Sequence, residues 1–146
     1  MCAYRLNTNA ISVLLFLITT MSLACELDTK IVVEGGNPPM FTMTGNGSLR
    51  AIRVRGPNKQ REALGEEASI YWQLKSEKGG ALDVGDIGSI TYGEVPEGYR
   101  QIYPERGKAP SLVEGERYYV RFDTANANGA EKFFTITNGK VEVSDY

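Results

Sequence analysis

Residues 112–124 read LVEGERYYVRFDT, and the reading of this stretch decides the fold. From Tyr118 onward large apolar residues recur at every second position: Tyr118, Val120 and Phe122, with Tyr119, Arg121 and Asp123 between them. That period of two is the signature of a strand with one face inward, because successive side chains leave a pleated backbone on opposite sides. A helix would need a period near 3.6 residues, and no segment of useful length shows one. Asn126-Ala127-Asn128-Gly129 follows, a run tolerant of positive φ. A second β-rich run covers 132–137, so 117–124 and 132–137 are expected to form a hairpin.

Upstream of the strand the skeleton is Leu112-x-x-Gly115-x-x-Tyr118-x-Val120. It resembles the E–F corner of fibronectin type III and immunoglobulin-like sandwich domains. The resemblance implies that Tyr118 packs inward and that its hydroxyl bonds backbone a few residues upstream. It concerns shape and carries no activity.

The rest of the chain is punctuated in the same way. KIVVE (30–34) is closed by GGNPP, and MFTMT (40–44) by GNG. LRAIRVR (49–55) ends at Gly56-Pro57, and SIYWQL (69–74) places Ile70, Trp72 and Leu74 on one face. IGSITY (87–92) is a weaker strand, YRQIY (99–103) stops at Pro104, and 141–144 adds an edge strand. Residues 96–110 read as a tyrosine-rich strand between rigid loops. About eight short strands without repeats or helices predict an all-β domain, a single antiparallel β-sandwich. A closed barrel is the alternative, since pattern alone does not order strands.

The N-terminus follows a different grammar. Residues 1–9 carry one cation, Arg5, and residues 10–24, AISVLLFLITTMSLA, carry no charge. A positive start, an apolar run too short to span a bilayer and small residues before a cut form an export signal over 1–24. Met21-Ser22-Leu23-Ala24-Cys25 resembles the lipobox of bacterial lipoproteins. The resemblance implies a diacylglycerol on the Cys25 thiol and cleavage before it. With Glu26 rather than Asp next, it also implies sorting to the outer membrane of a two-membrane envelope. Each buried CH₂ contributes about 0.8 kcal/mol, so several acyl chains anchor stably. An ordinary cut after Ala24 is the alternative and leaves a secreted module. The expected organisation is a signal over 1–24, a lipidated tether over 25–29 and a β-sandwich over 30–146.

Composition removes several function classes. With 146 residues, 42% hydrophobic and 23% charged, the chain suits one globular domain. Its formal charge of −2 lacks the cation excess of a nucleic-acid binder. It contains no histidine, which removes the commonest general base and zinc ligand and any Ser–His or Cys–His pair. Glu66-Glu67 and Asp83/Asp86 are the nearest paired carboxylates, in polar loops where carboxylates are simply solvated. Asp83-Val84-Gly85-Asp86 offers too few oxygens for calcium and reads as a turn. No enzyme, cofactor or metal is expected.

Three surface features remain. RAIRVRGPNKQR (50–61) holds five cations and no acid, with Arg53 and Arg55 on an outward strand face. It reads as a solvated or aggregation-blocking face, or as a contact for phosphate headgroups. Asn46-Gly47-Ser48 fits a glycosylation sequon and, more simply, a hairpin turn. Finally, the resemblance to fibronectin type III domains implies that strands 69–74, 117–124 and 132–137 share a sheet with Tyr71, Tyr119, Arg121 and Phe133 outward, a composition found in protein interfaces. The expected function is a non-catalytic binding or structural module, membrane-held through Cys25 and open to a protein partner. An exported enzyme is a distant alternative.

Overall fold

The computed structural model describes residues 28–57, 69–77 and 81–144. The signal segment, Cys25 and the Glu66-Glu67 pair lie outside the described residues. Among the described residues are nine strands: β1 (Thr29–Gly35), β2 (Pro39–Gly45), β3 (Ser48–Arg55), β4 (Ile70–Ser76), β5 (Ser89–Thr91), β6 (Tyr99–Tyr103), β7 (Arg117–Ala125), β8 (Ala130–Thr137) and β9 (Lys140–Ser144). One helical turn, α1 (Val84–Ile87), precedes β5. Every strand neighbour is antiparallel. The order is β1-β2-β5 in one sheet and β6-β4-β3-β7-β8-β9 in the other. This is the expected antiparallel β-sandwich, with the expected β7–β8 hairpin and β9 and β6 as edges.

Alternation fills the space between the sheets. Ile31 and Val33 of β1, Phe41 and Met43 of β2, and Ile90 of β5 meet Ile52, Val54, Trp72, Leu74, Val120, Phe122, Phe134 and Ile136 of the larger sheet. Phe41 lies edge-on to Phe122 at 6.0 Å and to Phe134 at 5.9 Å, so one ring ties the two layers together. Each such buried side chain stabilises the fold by roughly 1.5–3 kcal/mol relative to exposure. The first strand begins one residue before the expected boundary at 30. Thr29 is buried and donates its hydroxyl to the Asn46 carbonyl at 2.7 Å, and Asp28 already bridges to Asn128.

Strand direction defines two poles. The near pole holds Asp28, the β2–β3 turn and the β7–β8 loop. The far pole holds the β1–β2 loop, the β8–β9 turn and the connection from β6 to β7. The near pole needs glycine. Gly47 has φ +98°, and a Cβ there would come within 2.6 Å of the Ala127 methyl.

Three bulges break the alternation that the sequence suggests. Each inserts one residue opposite none: Arg50 in β3 against β7, Tyr71 in β4 against β3, and Ile102 in β6 against β4. An extra residue lets two successive side chains share a face. Tyr71 is therefore not on the outer face beside Tyr119, as expected from period two. It turns toward the core next to the fully buried Trp72 and packs against Tyr118 with ring centroids 5.5 Å apart.

Candidate functional site

The tyrosine corner is present. Tyr118 is fully buried, and its hydroxyl oxygen accepts the Val113 N–H at 2.8 Å. Leu112 is buried beneath it, and the Gly115 N–H reaches the Ile136 carbonyl at 2.8 Å. The corner is one of four side-chain ties on four consecutive residues. Tyr92 donates its hydroxyl to the Pro110 carbonyl at 2.8 Å, and Tyr71 donates to the Ser111 carbonyl at 3.3 Å. The Asn37 amide donates to the Leu112 carbonyl at 3.0 Å, and Tyr118 takes the Val113 N–H. Buried tyrosines place a polar tip where it finds a partner. Here three of them, on β4, just after β5 and on β7, converge on one connection and hold it.

The connection so held forms one wall of a cleft of about 440 Å³ at the far pole. Asn37 and Pro38 of the β1–β2 loop and residues 91–94 form the other sides. Glu94 and Lys108 put one acid and one base on its lining, among Ala109, Pro110 and Tyr92. Below the cleft Trp72 lies edge-on to Tyr92 at 5.2 Å. Burial, with the neighbouring Tyr71 and Tyr118 adding to it, pushes the Tyr92 hydroxyl well above the ordinary tyrosine range. Tyr118 is also raised, again mainly by burial, with its Val113 bond opposing. These hydroxyls stay protonated and serve as ties. The cleft has mixed polarity and walls fixed before any ligand arrives, which suits recognition of a small group or a chain segment.

The expected aromatic face is different in kind from its sequence reading. Tyr119 and Phe133 do stand on the outer side of the larger sheet, as cross-strand partners with centroids 5.0 Å apart. Both are buried, at 3% and 6% exposure, so they offer no open aromatic surface. The Arg117 guanidinium stacks 4.3 Å above the Phe133 ring, a cation–π contact. The Tyr119 hydroxyl donates to the Glu131 carboxylate. Arg121 pairs with Asp123 at 3.1 Å and approaches Glu131 at 3.9 Å. Arg53 also reaches Asp123, at 2.9 Å. Cross-strand register makes this network: Arg53, Arg121 and Glu131 are neighbours across β3, β7 and β8. Of the four residues expected to share a binding face, three share a face and are tied into the fold. Tyr71 lies on the other side.

Elsewhere, the Asp83 carboxylate accepts the Ser48 hydroxyl at 2.8 Å, so it helps join α1 to the start of β3. Of the sequon residues, Asn46 and Gly47 form the β2–β3 turn, as their composition suggests, and Ser48 opens β3. In the basic run, Arg50 occupies a bulge and is exposed, and residues 58–61 lie outside the described residues.

Sequence reasoning passed over the cleft because Asn37, Pro38 and residues 108–112 read only as turns. A signal was nevertheless there. Tyr92 and Tyr118 sit at inward positions of alternating runs, and each hydroxyl requires a partner that a β core does not supply. The nearest source is a connecting loop folded down over them. No known protein family, curated protein or solved structure matches the chain.

Proposed function

We propose that the chain is a cell-envelope lipoprotein whose β-sandwich is a non-catalytic binding module, anchored through Cys25 and binding at the far-pole cleft. The observation that carries this reading is the set of four ties on residues 110–113. Stability alone does not call for every residue of a surface connection to be held by a separate side chain. A preformed wall lowers the ordering cost of binding. The lipobox-like Met21–Cys25 supports the anchoring half. Only Glu26 and Leu27 separate Cys25 from Asp28, the first bridged residue. At about 3.5 Å per extended residue that tether is short. It would keep the near pole at the bilayer and turn the cleft away from it.

Two measurements test the halves separately. Intact mass of the N-terminal peptide from membrane and soluble fractions should find acylated Cys25 in membranes, and Cys25→Ala should move the protein to the soluble fraction. Unmodified Cys25 in the soluble fraction would leave a secreted module. For the cleft, Ala109→Trp should fill the space without touching a tie. Capture of envelope components should then fall relative to the unsubstituted chain, while the unfolding midpoint stays put. Equal capture would remove the cleft from the reading.

A further inference from the structure

We propose that Lys75 of β4 and Arg100 of β6 form a binding site for a phosphate-type oxyanion, separate from the far-pole cleft. Three observations carry it.

The first is register. Lys75 and Arg100 are direct cross-strand partners, and Leu74 beside Lys75 points into the core, so both cations stand on the outer face of the larger sheet. The pairing is made by the Ile102 bulge. Tyr103 pairs with Gln73, and unbroken pairing from there would put Gln101 opposite Lys75. The extra residue advances the register by one and brings Arg100 across instead. Like charges directly opposed in a sheet are destabilising. Here the irregularity creates such a pair rather than relieving it.

The second is the lack of internal compensation. Among the described residues no ion pair reaches Lys75 or Arg100, whereas Arg53 and Arg121 are paired with Asp123 and Glu131. In the same sheet Arg53 and Arg121 are paired with acids, while Lys75 and Arg100 stand opposed on the β4–β6 strands with no acid paired to either. Glu77 lies nearby without an ion pair to either, and its N–H is occupied by the Gly98 carbonyl at 2.9 Å.

The third is shape. Among the described residues, Lys75, Ser76, Glu77 and Arg100 line one concavity of about 660 Å³, ample for a phosphate group. A guanidinium presents a planar fork of donors that fits two phosphate oxygens, and an ammonium adds a point charge beside it. An oxyanion between them would convert an opposed pair into a bridged one. The same chemistry is offered by a free phosphate and by a phospholipid headgroup.

The test uses the purified chain in two arms at matched ionic strength. In the first, inorganic phosphate is titrated against a chloride reference by calorimetry. Saturable heat in the unsubstituted chain, weakened about tenfold in Lys75→Ala and in Arg100→Ala, is expected from the loss of one charge-assisted contact. Arg100→Lys should lose less than Arg100→Ala, and Lys30→Ala, on the other sheet, should bind as the parent does. In the second arm the Cys25→Ala chain, which carries no acyl anchor, is sedimented with phosphatidylcholine vesicles with and without phosphatidylglycerol. Co-sedimentation that needs the anionic lipid and falls in Lys75→Ala assigns the site to a headgroup. Phosphate binding without vesicle binding assigns it to a free ion or soluble phosphate ester. No phosphate response beyond chloride together with no anionic-lipid dependence would overturn the proposal, as would responses unchanged in both alanine variants.

Discussion

Replacing Tyr118 by phenylalanine isolates the tie that links the strongest strand to the cleft wall. The ring is fully buried and stacks on Phe134 at 5.7 Å, and phenylalanine keeps that packing and leaves only an oxygen-sized gap. What goes is the acceptor for the Val113 N–H at 2.8 Å. A neutral hydrogen bond contributes about 0.5–1.5 kcal/mol net, and a donor left without a partner costs about 1–3 kcal/mol when buried. The Val113 N–H is only part-buried, so a loss of about 1–2.5 kcal/mol is expected. Trp72, the single tryptophan, is completely buried and reports unfolding by its fluorescence. With a urea m-value of about 1–3 kcal/mol per M, the midpoint should fall by roughly 1 M at unchanged slope. Tyr103→Phe, at an exposed edge position, is the control and should change nothing. A Tyr118→Phe midpoint equal to that control would refute the reasoning, because the corner would then contribute no stability. A loss above about 4 kcal/mol would also refute it, by showing that the ring itself had moved.

Three further expectations follow from the same geometry. Gly56→Ala places a methyl 2.7 Å from the Tyr118 ring at φ +136°, so it should cost about 2–4 kcal/mol in urea unfolding, and a neutral result would mean the corner shifts freely. Burial raises the Tyr92, Tyr99, Tyr118 and Tyr119 hydroxyls, so the unfolded chain ionises first as pH rises. Their contribution is complete below the unfolded value near 10 and is lost as pH rises from there toward the higher folded values. Urea midpoints between pH 8 and 11.5 should therefore be level and then fall, and Tyr92→Phe should shallow the fall; a level midpoint throughout speaks against buried, protonated tyrosines. Arg53→Ala removes a half-exposed pair with Asp123 and should cost no more than about 1 kcal/mol, diminishing further at high salt. A larger loss would show that the outer network acts as one unit.

Much of the architecture was legible from residue order because its causes are local. Period-two alternation at Tyr118, Val120 and Phe122 makes a one-sided strand wherever it occurs, and the 126–129 run turns the chain back onto β8. The corner skeleton also places its bond to within a few residues, since a tyrosine hydroxyl reaches a fixed distance from its own strand.

What only tertiary structure decided depends on partners brought from afar. Nothing in IYWQLKS marks Tyr71 as an extra residue. The bulge shows only in the pairing of β3 with β4, where Val54 faces Trp72 and Arg55 faces Ile70. That geometry moved Tyr71 off the expected aromatic face and onto the Ser111 carbonyl, 40 positions away. Tyr119 and Phe133 kept their predicted face, yet charged neighbours from three strands closed over the polar edge of the pair. The cleft is the extreme case, since its lining comes from three separated stretches that meet only when two sheets close on one core. Strand pattern is written in each residue's immediate neighbours. Register, bulges and the meeting of loops are set by long-range packing, where one residue of slip exchanges core for surface.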